Sequence, residues 1–94
     1  MGAIDAHGRC PVCGFNLGYR AWDGETASDE LCPCCLIQFG YDDATGGNVA
    51  ARRILYAKWR SEWVAAGMPW RSHGGGPPQE WNPMSQLNQL FNGN

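Results

Sequence analysis

Five cysteines in a chain of 94 residues are the side chains with the most chemistry to offer. Cys10-Pro-Val-Cys13 and Cys32-Pro-Cys-Cys35 form two CxxC pairs, with eighteen residues between Cys13 and Cys32. Two residues between thiolates permit a tight turn that aims both sulfurs at one point about 2.3 Å away, as tetrahedral zinc requires. Pro11 and Pro33 follow the first cysteine of each pair, where a fixed φ helps set that turn. Gly14 follows the second cysteine of the first pair, where a positive φ costs little. Paired CxxC units about 15–20 residues apart read as a zinc site. Cys10, Cys13, Cys32 and Cys35 are therefore the expected metal ligands, and zinc the expected ion.

An odd cysteine count and paired spacing favour metal over a disulfide framework. Pairing Cys32 with Cys34 would give a cramped CxC unit, so Cys34 is left as a small side chain beside the site. Its alternative role is that of a redox-sensitive or spare ligand thiol. His7 lies three residues before Cys10 but competes poorly with four well-spaced thiolates, and His73 sits in a glycine-rich stretch with no visible partner. Four protein ligands close a tetrahedral ion and leave no position for water or substrate. The metal is then a scaffold, and removing it should unfold at least residues 8–40. Iron is the competing ion. The two knuckles look somewhat like those of rubredoxins, with two departures: the intervening segment is shorter, and Leu36 stands where their second knuckle has glycine.

The elements that must carry these ligands are few. A chain this short makes one domain, 1–94, and needs a staple such as a metal. An apolar fraction of 44% is that of a globular chain, and five tryptophans supply most of the burial potential. Residues 8–41 read as a zinc ribbon. Phe15, Leu17 and Tyr19 alternate with polar or small residues as a strand would, Asp23-Gly24 turns the chain, and Ile37, Phe39 and Tyr41 alternate again. Asp42-Asp43 lacks the ligand spacing of a calcium loop and reads as a turn with the negative start of a helix.

Asn48 caps a helix over 49–66 that stops at Gly67. Val49, Tyr56, Trp59, Trp63 and Ala66 share its buried stripe, while Arg52, Arg53, Lys58, Arg60 and Glu62 make a solvated face. The loop 67–82 is too rich in glycine and proline for regular structure, and Trp70 and Trp81 are expected to pin it onto the helix. Pro83 opens a short helix over 83–92, with Met84, Leu87, Leu90 and Phe91 on its apolar side. No internal repeat, heptad or P-loop is evident. The expected class is α+β: a ribbon with short hairpins, one main helix and a short C-terminal one.

The residues also carry a family resemblance. Cys10-Pro-Val-Cys13-Gly-Phe and Cys32-Pro-Cys-Cys35, followed by Phe39-Gly-Tyr-Asp-Asp43, resemble the cysteine-rich CPCC proteins, small bacterial zinc-ribbon-like chains. Trp59-Arg-Ser-Glu-Trp63, Gly67-Met-Pro-Trp70 and Pro77-Pro-Gln-Glu-Trp81-Asn-Pro83 resemble the tryptophan-rich ends of similar proteins. The resemblance implies a bacterial protein, with an immunity or adaptor role as one possibility.

Neither a formal charge of −2 nor the residue pattern marks a general nucleic-acid binder. The opening Met1-Gly-Ala-Ile-Asp-Ala-His has no basic and apolar leader pattern, Ala6 stands where a myristoylation signal has Ser or Thr, and no apolar run approaches the roughly 20 residues of a membrane span. A cytoplasmic location is expected. No Ser-His-Asp, Cys-His or paired-carboxylate arrangement is recognisable, so an enzyme is not expected. The leading expectation is a zinc-stabilised protein-interaction module whose partner meets the tryptophan-rich stretch between Trp59 and Trp81. One alternative is a nucleic-acid-binding ribbon using Arg9, Arg20, Arg52, Arg53, Lys58 and Arg60. The others are a rubredoxin-like iron electron carrier and a purely structural subunit.

Overall fold

The computed structural model describes residues 8–92. Their N-terminal part is one backbone motif used twice. Residues 8–18 and 30–40 superpose in sequence at a spacing of 22, which aligns Cys10 with Cys32, Pro11 with Pro33, Cys13 with Cys35 and Gly18 with Gly40. In the first copy Cys10 N donates to Phe15 O (2.9 Å), Gly14 N to Cys10 O (2.9 Å) and Leu17 N to Gly8 O (2.8 Å). In the second, Cys32 N donates to Ile37 O (2.9 Å), Leu36 N to Cys32 O (2.8 Å) and Phe39 N to Glu30 O (3.0 Å). Each copy has one isolated antiparallel bridge, Arg9 with Asn16 and Leu31 with Gln38. The expectation of no internal repeat is therefore corrected.

The expected strands through Phe15–Tyr19 and Ile37–Tyr41 do not extend beyond those bridges. Gly18 and Gly40, at φ 82° and 88°, turn the chain away before a ladder can grow. Tyr41 consequently lies beyond the turn and is exposed. The regular hairpin is elsewhere, between the knuckles: β1 (Trp22–Asp23) pairs antiparallel with β2 (Thr26–Ala27) across a turn at Gly24 and Glu25.

A 3₁₀ turn at Thr45–Gly47 leads into α1, Val49–Ala65. Asn48 caps it, its Oδ1 accepting from Ala51 N at 3.0 Å. Gly67, at φ 97°, takes the chain out at the far end. Of the expected stripe only Trp63 is fully enclosed. Tyr56 and Trp59 are half-buried, and Val49 and Ala66, at the two ends of the helix, are exposed. Helix α2, Pro83–Asn92, has Pro83 in its first turn and Asn82 Oδ1 accepting from Ser85 N (3.0 Å). The architecture is thus α+β, with one core of Val12, Ile37, Phe39 and Trp63 around the cysteines. Among the described residues no helix is long and apolar enough to cross a membrane.

The loop between the helices is pinned to the first knuckle as well as to α1. Trp70 meets Phe15 edge-on with ring centroids 5.3 Å apart, and Trp81 meets Trp70 in the same way at 5.5 Å. Its link to α1 runs through the Trp63 indole, which donates to Pro69 O at 2.9 Å.

Candidate metal centre

The two knuckles face each other with their ligands crossed. Cys10 Sγ lies 3.7 Å from Cys35 Sγ, and Cys13 Sγ lies 3.7 Å from Cys32 Sγ. All four sulfurs fall within 4.8 Å of one another, and all four residues are buried. A tetrahedral ion with metal–sulfur bonds of about 2.3 Å has its ligand atoms about 3.8 Å apart, so this donor set fits such an ion. The same separations are far too long for a disulfide bond of about 2.05 Å, and all five cysteines are free. Taken as thiols alone, the cluster is electrostatically lopsided. Hydrogen bonds from Cys10 and Cys13 hold Cys32 far below the ordinary thiol range, while the bonds with Cys10 and Cys32 push Cys13 up. A divalent cation bound among the four would favour thiolate at each sulfur.

Adjacent residues of α1 hold the two knuckles in register. The Arg60 guanidinium donates from Nε to Val12 O (2.7 Å) and from Nη2 to Pro11 O (2.8 Å), both in the first knuckle. Next to it, the Trp59 indole donates to Cys35 O (3.2 Å) in the second. Burial pulls the Arg60 pKa down, and the sulfurs of Cys10 and Cys13 oppose that shift. A divalent ion on four thiolates leaves the centre anionic, and Arg60 is the cation placed against it. Its guanidinium also lies over the Phe91 ring, 4.8 Å from the centroid, which ties in α2. Arg60 and Arg52 therefore leave the solvated face they were expected to share, because their planar heads are committed to backbone carbonyls and aromatic rings.

Helix α2 closes the site from the other side with a polar residue. Gln86 is only 9% exposed, whereas Met84 and Phe91, expected on the buried face, are 56% and 63% exposed. Gln86 Nε2 donates to Cys13 O (3.0 Å) and reaches Cys34 Sγ (3.5 Å), while its Oε1 accepts from the Trp81 indole (2.7 Å). That contact explains an asymmetry between the knuckles. Gly14 and Leu36 are equivalent and both have positive φ, 83° and 65°. A Cβ at Gly14 would stand 2.5 Å from Gln86 O and 3.2 Å from Leu90 Cβ, so only glycine lets α2 approach. The second position borders a depression lined by Trp59, Glu62, Trp63 and Arg71, and Leu36 occupies it at a conformational cost of about 1–2 kcal/mol.

Cys34 is the counterpart of Val12. Both are fully buried, and Cys34 O accepts from Arg71 N at 3.0 Å. Its sulfur stands outside the four-sulfur group. Asp43 is a second buried polar centre. Its Oδ1 accepts from Gly40 N (2.6 Å), and its Oδ2 from the Trp22 indole (2.9 Å) and the Tyr56 hydroxyl (2.6 Å). This joins the second knuckle, β1 and α1 at one carboxylate. Burial, followed by that carboxylate, raises the Tyr56 pKa. Arg52 completes the cluster, donating to Asp43 O (2.8 Å) and Ala44 O (3.2 Å) with its guanidinium 3.7 Å above the Trp22 ring. Asp43 thus serves the knuckle turn and lies well before the helix whose start it was expected to mark.

Sequence reasoning missed Gln86 and Asp43, because Cys13, the partner of the first, and Trp22 and Tyr56, partners of the second, are distant in the chain. The knuckle repeat, by contrast, had a signal: four identical residues at a spacing of 22. His73 is exposed, and His7, Met1, Gly2 and Ala6 lie outside the described residues. The six cations considered for nucleic acid are largely occupied within the fold. Arg9 Nη1 donates to Gly14 O (3.0 Å), Arg20 pairs with Asp23 (3.7 Å), and Arg52 and Arg60 are held as described. All five indole N–H groups likewise have internal acceptors, and Trp59, Trp70 and Trp81 remain partly exposed. No family model matches the chain, and no curated protein or solved structure is significantly similar to it.

Proposed function

We propose that the resident ion is zinc and that the protein is a non-enzymatic binding module, with the metal serving only its fold. The observation that carries this is the closed, buried set of four cysteine sulfurs. A tetrahedral ion bound by all four has no open position at which to activate water or polarise a substrate. An all-sulfur tetrahedral site suits zinc or iron. Zinc is favoured because it needs no redox partner and supplies folding free energy outright, as a domain this small requires. A protein partner is favoured over nucleic acid, since Arg9, Arg52 and Arg60 are bound to the chain's own carbonyls and Arg20 is paired with Asp23. The resemblance to CPCC proteins fits a cytoplasmic bacterial adaptor or immunity protein.

Metal analysis of protein purified from its host tests the first part. The expected result is a colourless protein with one zinc per chain, and a red iron-loaded protein would overturn it. Crosslinking in native cells tests the second. Failure to trap any protein on the chain would count decisively against a binding role.

A further inference from the structure

A trough lies beside the metal centre without being used by it. Pro11, Trp22, Val49, Arg52, Arg53 and Tyr56 line a depression of about 230 Å³. Past Trp22, Val49 and Arg52 it runs on into a second depression of about 470 Å³, bordered by Gly24, Glu25, Gly46 and Gly47. The floor is apolar, and Val49, one of its lining residues, is 56% exposed overall. The rim is positive. Arg53 is exposed, and among the described residues it has no hydrogen bond or ion pair. Arg52 donates through Nε and Nη2 to carbonyls, so its Nη1 edge makes no hydrogen bond among the described residues. Both arginines sit in the first turns of α1, whose positive end carries no acidic residue. Asp43, beneath the floor, is fully enclosed and engaged by Gly40, Trp22 and Tyr56, and Glu25 is the acidic residue of the far depression.

We propose that this trough docks an acidic peptide segment of a partner protein, an inference that rests on the binding role proposed above. An apolar side chain of the partner fills the cleft between Pro11, Trp22 and Val49. Flanking carboxylates meet Arg53 and the free edge of Arg52. Charge complementarity selects the class: two guanidinia and a helix N-terminus converge here, on a chain whose formal charge is −2. Nucleic acid fits poorly, because single-stranded bases need an aromatic face to stack on and Arg52 covers that of Trp22.

The test is selection of a random-peptide phage library on the immobilised zinc-loaded chain, followed by fluorescence anisotropy of the recovered peptides. The expected peptides carry a leucine or aromatic residue flanked by acidic ones. Their binding should weaken roughly tenfold in Arg53→Glu, by reversal of a rim charge, and with rising salt. Arg53→Glu adds an acidic residue to the first turns of α1, which suits that helix, so the variant should fold and hold metal as the wild type does. Lys58→Glu, on another part of α1, should bind the peptides normally. Recovery of no peptide, or of neutral or basic peptides, would overturn the trough, as would binding unchanged in Arg53→Glu. A crosslinked cellular partner that survives Arg53→Glu would overturn the trough while leaving the binding role standing. The absence of any crosslinked partner would remove the binding role itself.

Discussion

Gly14 and Gly18 provide an internal control for how firmly α2 is bound to the metal knuckle. Their φ angles are 83° and 82°, so an alanine at either meets the same backbone penalty. That penalty is about 1–2 kcal/mol, offset by roughly 0.4–1 kcal/mol from a less flexible unfolded chain. Gly18→Ala should therefore cost about 1 kcal/mol, since its new Cβ meets nothing within 4 Å. Gly14→Ala should cost more. Its Cβ would press against Gln86 O at 2.5 Å and against Leu90 Cβ at 3.2 Å, neither of which a rotamer change can move. Pushing α2 outward adds about 1–3 kcal/mol of overpacking. It also stretches the Gln86 bond to Cys13 O, whose loss leaves a buried acceptor at a similar cost. The excess of Gly14→Ala over Gly18→Ala should be about 2–6 kcal/mol. Urea unfolding followed by tryptophan fluorescence, at a fixed excess of zinc, measures both. If the two variants agree within about 0.5 kcal/mol, α2 is not held where its contacts place it.

Chelation of the metal should abolish cooperative unfolding and expose Trp63, seen as a red-shifted emission, because the core is built on the four cysteines. Gln86→Ala should weaken metal binding by about 10–100-fold in competition with a chromophoric chelator, the usual loss when a group supporting metal ligands is removed. Asp43→Asn should cost about 1–3 kcal/mol in urea unfolding, since the amide places a donor group where Gly40, Trp22 and Tyr56 all donate. Tyr56 has a raised pKa when folded, so the unfolded chain gives up that proton first, near the ordinary tyrosine value of about 10. The stability this hydroxyl contributes is thus complete below that pH and declines above it. Tyr56→Phe should be less stable at neutral pH and should flatten part of the alkaline decline.

The chain reveals its local geometry and conceals its long-range polar contacts. CxxC spacing, the Asn48 cap and the Pro83 start act within a few residues, and each lies where the pattern places it. The strands failed for an equally local reason. Alternation over Phe15–Tyr19 and Ile37–Tyr41 was read without the breaks at Gly18 and Gly40, whose positive φ ends each bridge after one pair. Gln86 and Asp43 were not legible, because a lone glutamine on an apolar face and an aspartate in an acidic pair look like surface residues until their partners arrive. Those partners, Cys13 and Trp22, lie far away in sequence.

The repeat shows what the fold demands at equivalent positions. Cysteine and proline are the same in both copies, as one tight turn around a shared four-sulfur site would require of each knuckle. Val12 and Cys34 differ, yet both are buried, which makes the fifth cysteine the counterpart of a core valine. Gly14 and Leu36 differ for a reason of packing: α2 lies against the first, while the second borders an open depression with Trp59 and Arg71. Differences between the copies therefore follow what packs against each knuckle, and their identities follow the four-sulfur cluster and the shared turn at Gly18 and Gly40. By the same logic Leu36→Ala should preserve metal binding where Gly14→Ala weakens α2 docking, since Ala retains the Cβ that Leu36 already accommodates.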